Sequence, residues 1–359
     1  MKIIFLIDHM NGFGGAQRVI ANLSNEFSNN GDDVCILLTG NTTNSVYSLN
    51  EDIIVCCFHE YADKNVSRFD KINRIRKNIK SFSPDIVISF LTMVNIMTLI
   101  ATLGTNIPVI ISERNDPDRC TRKEKIFSKI FYRFADCIVV QTQDIKCKVM
   151  KICQCDIEII ENPIVEHRFE KICYQLSNKI VAVGRLNKQK NYIFMLKVFR
   201  DFLLINPQCI LDIYGVGEER NNLIKSAEKL EINNNVNFMG NVSDILSREK
   251  EYDLFVMTSD FEGMPNALAE AMSVGLPCIS TNCDGGGAEA LIDSGVNGIL
   301  VDKGNREKFV KEINTLYIDN VLRETIGSNA KKINISLSKE KILAKWSRII
   351  EKTISKKNK

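Results

Sequence analysis

No stretch of this chain reaches the ~20 consecutive apolar residues that a membrane-spanning helix requires, so a helical integral membrane protein is not expected. The apolar opening Ile3-Ile4-Phe5-Leu6-Ile7 is too short for a secretory h-region and lacks its flanks. A soluble or peripherally bound protein of the cytoplasm is the expectation. The chain also lacks a short-period repeat, a low-complexity block and a heptad run. Charge of one sign is missing too: 47 Lys and Arg face 44 Asp and Glu, a net +3. Such a weak overall field argues neither for nor against an anionic ligand, and no nucleic-acid partner is expected. Histidine is scarce, with only His9, His59 and His167. Cys153-x-Cys155 has no second Cys/His pair at zinc spacing, so no metal site and no cofactor are expected. Twelve cysteines are present. They sit in apolar runs such as Val34-Cys35-Ile36-Leu37 and Asp136-Cys137-Ile138-Val139, as small buried hydrophobes do in a reducing compartment.

What is present is a long alternation of short β-branched runs with amphipathic segments, the sequence form of a doubly wound α/β sheet. In the first half, strands are expected at 2–7, 33–39, 53–58, 85–90, 108–112, 137–141 and 157–160, and helices at 16–29, 64–81, 94–103, 123–133 and 144–151. Asn162-Pro163 breaks the pattern. In the second half, strands are expected at 179–183, 209–214, 236–239, 254–258, 277–280 and 298–301. Helical segments are expected at 191–206, 218–230, 244–247 and 267–274, and 288–293 fits the next helical place in the alternation. The expected division is 1–163, a linker at 164–178, 179–338, and a last helix with tail at 339–359. Two Rossmann-like domains facing across a cleft would follow. The last helix carries Ile342, Leu343, Trp346, Ile349 and Ile350 at helical spacing. That stripe suits docking on its own domain as well as on the first.

The segment Phe261-Glu262-Gly263-Met264-Pro265-Asn266-Ala267-Leu268-Ala269-Glu270 follows the apolar run Leu254-Phe255-Val256-Met257. Glu262 therefore falls in a loop at the carboxyl end of a strand, the edge where open α/β sheets bind ligands. Glu270 falls about two turns into the next helix. Gly263, Met264, Pro265 and Asn266 offer backbone N–H groups at a helix N-terminus, where a phosphate or sugar oxygen can be held. Pro265 suits the first helical turn. An arbitrary pair of glutamates would be two solvated carboxylates; the surroundings decide otherwise.

Those surroundings resemble the retaining glycosyltransferases of family 4, which have the GT-B fold. The resemblance rests on Glu-x7-Glu (Glu262 and Glu270), Gly14-Gly15-Ala16-Gln17-Arg18 and Val183-Gly184-Arg185-Leu186 with Gln189-Lys190-Asn191. It continues through Tyr214-Gly215-Val216-Gly217, Val236-Asn237-Phe238-Met239-Gly240 and Asn297-Gly298-Ile299-Leu300-Val301. Within the family, Ile88-Ser89-Phe90-Leu91 and Ile110-Ile111-Ser112-Glu113-Arg114-Asn115-Asp116 look most like bacterial enzymes that extend lipid-diphosphate-linked glycans with N-acetylgalactosamine or related sugars. In GT-B enzymes the last helix commonly crosses back to the first domain.

The resemblance implies a nucleotide-sugar donor, most simply UDP-linked, and a polyprenyl-diphosphate-linked acceptor met at the cytoplasmic face of a membrane. It implies that Glu270 accepts hydrogen bonds from the ribose hydroxyls, that Glu262 approaches the donor sugar, and that Gly263, Met264, Pro265 and Asn266 wrap the sugar and diphosphate. Arg185 and Lys190 lie at a strand end and the next helix start, where cations can stabilise a departing diphosphate. Gly14 and Gly15 let backbone approach a phosphate or sugar at a helix head. A dinucleotide fingerprint fits poorly there, because Gln17 stands where Gly or Ala is needed. Asn241 and Val242 are candidates for the base pocket. Many relatives carry a histidine in this region, near donor and acceptor; Arg114 takes that place here, Glu113 is kept as in the lipid-linked enzymes, and both are expected on the acceptor side. No general base is assigned.

Two basic stretches remain. The first, Lys64 to Lys77, puts Arg68, Lys71 and Arg74 at three-residue intervals on about one helix face; related lipid-linked enzymes use such a helix to hold the acceptor diphosphate. The second, Lys123-Glu124-Lys125-Ile126-Phe127-Ser128-Lys129-Ile130-Phe131-Tyr132-Arg133, mixes cations with Ile and Phe. Either suits an anionic membrane surface, and either can be an ordinary solvated face. The only Asp-x-Asp triplet, Asp116-Pro117-Asp118, reads as a turn. A different acceptor, a sugar epimerase or phosphorylase of the same fold, and a non-catalytic binding paralogue are the alternatives.

Overall fold

The computed structural model describes residues 1–12, 14–40, 42–58, 67–164, 176–242 and 251–357. The chain divides into two compact units: Met1–Pro163 with Lys339–Lys359, and Ile164–Ser338. The first unit contains, in order, β1 (Lys2–Ile7), α1 (Gly15–Asn29), β2 (Asp33–Leu38), β3 (Ile54–Cys57), α2 (Arg68–Phe82), β4 (Ile86–Phe90), α3 (Thr92–Thr102), β5 (Val109–Ser112), α4 (Arg122–Phe131), β6 (Cys137–Val140), α5 (Gln143–Met150) and β7 (Ile157–Ile159). All neighbours are parallel, in the order β3-β2-β1-β4-β5-β6-β7. The central strands read as unbroken apolar runs because helices cover both faces. β4 is buried along its whole length, and β1 at every residue after Lys2. Cys35 and Cys137 are packed into β2 and β6, where burial pushes each thiol pKa up to about 12.

The second unit contains β8 (Lys179–Val183), α6 (Tyr192–Leu203), β9 (Ile210–Tyr214), α7 (Arg220–Lys229), β10 (Val236–Gly240), β11 (Leu254–Met257), α8 (Asn266–Val274), β12 (Cys278–Asn282), β13 (Ile299–Asp302), α9 (Arg306–Ile318), α10 (Asn320–Ala330) and α11 (Ile333–Ser336). Its parallel sheet runs β10-β9-β8-β11-β12-β13. Both sheets thus reverse direction beside their first strand, which places the ligand-binding switch points between β1 and β4 and between β8 and β11.

The last helix, α12 (Lys339–Lys357), belongs to the first unit. Ile342, Leu343, Trp346, Ile349 and Ile350 are all buried. Trp346 meets the Phe90 ring with centroids 5.8 Å apart. Lys345, Lys352 and Lys357 pair with Glu161, Glu158 and Asp136 at 2.6, 3.0 and 2.8 Å. Each of these solvent-reached pairs is worth about 1 kcal/mol or less, whereas each buried large apolar side chain contributes about 1.5–3 kcal/mol. The apolar stripe therefore holds the helix, and the lysines fix its register.

Several sequence expectations change. Residues 288–293 form turns rather than a helix, because glycines at 285–287 and the Ser294-Gly295 turn leave too short a segment to propagate one. Helix α2 starts at Arg68, capped by Ser67, whose side chain accepts from the Asp70 N–H; residues 64–66 lie outside the described residues. So do the expected helix 244–247, most of the expected linker, Phe13, His59 and His167. Helices α9 to α11 fill a region for which the sequence carried no assignment.

Candidate active site

The β8–β11 switch point brings two loops together. After β8, Gly184 to Asn191 runs into a single 3-10 turn over Lys188–Lys190 and then α6. After β11, residues 258–265 lead into α8, with Pro265 one position before the helix rather than inside its first turn. Asn191 adopts the left-handed conformation at φ 46° and caps α6, accepting from the Phe194 N–H. Its amide donates to Asp260 Oδ1 at 2.9 Å, and Gln189 Nε2 donates to the Phe261 carbonyl at 2.9 Å. The Asp260 N–H closes the lattice on the Gln189 carbonyl at 2.8 Å. Gln189, Asn191 and Asp260 were not singled out from sequence as working residues, yet they fix the relative position of the two loops.

That position puts Lys190 Nζ 2.7 Å from Glu262 Oε1. Both side chains are about nine-tenths buried, at 13% and 10% exposure. Gly285, at φ 87°, lets a second loop pass directly behind: a Cβ there would sit 2.3 Å from the Glu262 carbonyl oxygen. Gly215 works the same way in front of β8, where a Cβ would lie 1.9 Å from the Gly184 carbonyl. The Glu262 charge acts on its neighbours. Burial first, then that charge, pushes the Tyr192 hydroxyl pKa up, and the same pair of causes takes the Cys283 thiol to about 11.

The remaining expected donor residues share this edge to different degrees. Arg185 is exposed and makes no ion pair among the described residues. Glu270 lies half-buried in the second turn of α8; Met264 and Pro265 are buried, and Gly263 and Asn266 half-buried, at the head of that helix. Asn241 and Val242 follow β10, two strands from β8, or about 10 Å away at the usual strand spacing.

In the first unit, Gly14 precedes α1 and Gly15 begins it. The loop is closed by Gln17, whose amide donates to the His9 carbonyl at 3.3 Å. Gln17 is thus a loop-closing side chain, which the sequence did not reveal. Past β5, Glu113 is 1% exposed. Its Oε1 accepts from Thr92 Oγ1 and from the Arg114 and Asn115 N–H groups at 2.9, 3.0 and 3.1 Å, and its Oε2 accepts from the Tyr132 hydroxyl. Such a carboxylate builds its own loop; its four donors all come from the chain, which departs from the expectation that it faces an acceptor. Arg114 is also buried, 5.1 Å above the Phe90 ring and 5.9 Å from that of Trp346, and donates to Asn162 Oδ1 at 2.8 Å. Its Nε and Nη2 have no hydrogen-bond partner among the described residues. Burial pushes its pKa down, and the Glu113 charge pushes it back.

The three cations of α2 are not equivalent. Arg68 is exposed and Lys71 half-buried, but the Arg74 guanidinium is taken up by the Phe58 carbonyl. The Asp116–Asp118 triplet forms a 3-10 turn in which Asp116 accepts from the Asp118 N–H. Lys148 Nζ neutralises both carboxylates, at 2.9 and 3.4 Å.

Burial pushes the Glu113 pKa up despite its hydrogen bonds. Stability from the protonated form is fully present below the ordinary carboxylate pKa and is lost as pH rises through the raised one. Glu113→Gln mimics that form, because an amide oxygen accepts as Oε1 does and the amide N–H can donate to Tyr132. Melting temperatures across a pH series should therefore shift in favour of the variant as pH rises. A difference independent of pH would contradict the raised pKa.

Comparison with known proteins finds glycosyltransferases along nearly the whole chain. A family model described as Glycosyl transferases group 1 matches residues 165–333, and one described as Glycosyltransferase Family 4 matches residues 13–184. The chain is 26% identical, over 98% of its length and 98% of the relative's, to a Campylobacter jejuni protein. That protein is named as the α-1,4-N-acetyl-D-galactosaminyltransferase acting on GalNAc-α-(1→4)-GalNAc-α-(1→3)-diNAcBac-PP-undecaprenol. It is 26% identical, over 97% of its length and 99% of the relative's, to the amylovoran biosynthesis glycosyltransferase AmsD of Erwinia amylovora. Among solved structures, Anabaena HepE in complex with UDP superposes with a TM-score of 0.79 at 17% identity, covering 98% of this chain and 100% of that one.

Proposed function

The chain belongs to glycosyltransferase family 4, an enzyme family of GT-B fold that builds polysaccharides and other glycans, and on that premise we propose its donor, acceptor and stereochemistry. It transfers a hexose or N-acetylhexosamine, N-acetylgalactosamine favoured, from a UDP-sugar to a polyprenyl-diphosphate-linked oligosaccharide, with retention of anomeric configuration. The observation that carries the reading is the Lys190–Glu262 pair at the β8–β11 switch point, beside exposed Arg185 and the head of α8. In this reading Arg185 and Lys190 hold the diphosphate, and Glu262 with the backbone of Gly263 to Asn266 holds the sugar. Glu270 takes the ribose hydroxyls, and Asn241 and Val242 border the base. Gly14 and Gly15 offer backbone to the donor. The acceptor hydroxyl oxygen attacks the anomeric carbon from the face that the diphosphate leaves. The carbon–oxygen bond to the phosphate breaks, and the acceptor proton passes to the departing phosphate oxygen. No side-chain base is needed.

On the acceptor side, Arg68 and Lys71 are open to a lipid diphosphate, and Arg74 and Arg114 support the surfaces around it. The proposed setting is the cytoplasmic membrane surface, to which the chain is peripherally bound. The acceptor class comes from likeness to the Campylobacter relative. The test is a donor screen with purified protein and a synthetic polyprenyl-diphosphate glycan. UDP-N-acetylhexosamine turnover with that acceptor is expected. Turnover only on a diacylglycerol lipid or a protein would replace the acceptor assignment. Acceptor KM should rise in Arg68→Ser/Lys71→Ser, with a shallower salt dependence, because exposed charges are screened within ~8 Å at physiological salt; an unchanged KM and salt slope would return α2 to an ordinary solvated face. A chelator should leave turnover intact. Loss on chelation with rescue by magnesium would move diphosphate neutralisation from Arg185 and Lys190 to a cation.

A further inference from the structure

Helix α4 and the turn after it present an apolar stripe outward instead of toward the core. Its inner side is Ser128, which is buried, the half-buried Phe131 and, just beyond the helix, the buried Tyr132 that bonds Glu113. On the outer side, Ile126, Phe127, Ile130 and Phe134 are 50, 37, 40 and 47% exposed. At ~100° per residue the first three fall within a single arc of the helix. The aromatic rings form a continuous ladder, Phe127 to Phe131 at 6.3 Å and Phe131 to Phe134 at 6.4 Å. Isolated exposed apolar residues are common, but a contiguous cluster of four marks a surface that is meant to be covered.

The cations around it say what covers it. Arg122, Lys123, Lys125, Lys129 and Arg133 are all exposed. The one acid of the helix, Glu124, is withdrawn into the capping box with Thr121. Arg133 lies over the Phe134 ring at 5.8 Å, so charge and ring are presented together. A protein partner would need matched acidic side chains around an apolar pocket. A bilayer of anionic lipid meets the same pattern with no special shape, accepting Phe and Ile below the headgroups and Lys and Arg among the phosphates. Among the described residues, no helix is long and apolar enough to cross a membrane; a face of this composition needs only in-plane contact with one.

We propose that the outer face of α4, with Phe134, is a membrane-docking surface that lies in the headgroup region of an anionic phospholipid bilayer. The inference deepens the reading of a lipid-linked acceptor and rests on it for its biological setting, but its physical test does not. The full chain is sedimented with vesicles of phosphatidylcholine alone or containing about 30% phosphatidylglycerol, a strongly anionic surface. Wild type is expected to bind the anionic vesicles at least about tenfold more tightly, less so at high salt. Ile126→Ser/Phe127→Ser/Ile130→Ser and Arg122→Ser/Lys123→Ser/Lys129→Ser should each lose about tenfold or more in binding. Both variants should stay folded, the apolar one melting somewhat lower because Phe127 packs on Phe131, and should turn over a water-soluble short-chain acceptor within about twofold of wild type. Vesicle binding unchanged in both variants would overturn the surface. So would a wild-type dimer that the apolar variant splits, because the face would then belong to a second copy of the chain. Vesicle binding as expected, with no activity on any polyprenyl-diphosphate glycan, would keep the docking surface and remove the acceptor assignment. Turnover of such a glycan with no vesicle binding would do the reverse.

Discussion

Arg185→Ala is expected to lower turnover about 10²–10³-fold while leaving the protein folded and binding of the free nucleoside little changed. The magnitude is that of a lost donor to a developing oxyanion. It applies here because the diphosphate gains charge as the glycosidic bond breaks, and a guanidinium can meet two of its oxygens at once. Arg185 is exposed and unpaired among the described residues, so its removal disturbs nothing that holds the loop. Lys190→Ala is a different experiment. Its partner Glu262 is only 8% exposed, and stripping the ammonium leaves that carboxylate buried without its counter-charge. Breaking such a pair costs about 3–5 kcal/mol of stability when it is fully buried, so a lower melting temperature should accompany the loss of turnover. Lys190→Arg, which keeps the charge but not the length, separates the two effects. Single-turnover rates and melting curves for Arg185→Ala, Lys190→Ala and Lys190→Arg are the measurements. Near-normal turnover in folded Arg185→Ala and folded Lys190→Ala would remove the cationic clamp from the mechanism.

The frame of this site was legible in the sequence because strands in a parallel sheet are written as apolar runs and the residues at their carboxyl ends are the ones that meet ligands. That places Arg185, Lys190, Glu262 and Glu270 at one edge of the second unit before any coordinates are known. Their pairing was not legible. Lys190 and Glu262 are separated by 72 residues, and only the adjacency of β8 and β11 makes them partners. The same adjacency turns Gln189, Asn191 and Asp260 into ties between the loops, although Gln189 and Asn191 flank Lys190 in a motif that was visible. Arg74 shows the opposite failure. Three-residue spacing put it on a basic face with Arg68 and Lys71, but spacing along one helix says nothing of the Phe58 carbonyl at the end of the preceding strand region. Arg114 was placed at the right edge, while its enclosure by Phe90 and Trp346 depends on a helix from the far end of the chain. The turns at 288–293 were misread because apolar and small residues there alternate as a helix would, and the neighbouring glycines that stop it act through backbone approach to Glu262 and Gly263.

The two glutamates should separate kinetically. Glu270→Ala is expected chiefly to raise donor KM, because a ribose contact is made equally in the ground and transition states and so is uniform binding. Glu262→Ala is expected chiefly to lower kcat, and by more than positioning of the sugar alone would give, since it also frees Lys190 from the carboxylate that holds it at 2.7 Å. A misplaced catalytic group can cost about a hundredfold. The coupling has a signature of its own. If Glu262 acts partly by aiming Lys190, the double variant Glu262→Ala/Lys190→Ala should be little worse than the poorer single one, because residues acting as a unit are not additive. If instead the carboxylate meets only the sugar and the ammonium only the diphosphate, the two losses should multiply. Donor KM and kcat for the four proteins of this cycle, with Glu270→Ala as the control outside the pair, decide it. Multiplicative losses would mean that the pair parts when donor binds. A rise in KM alone for Glu262→Ala would deny it any share in the chemical step.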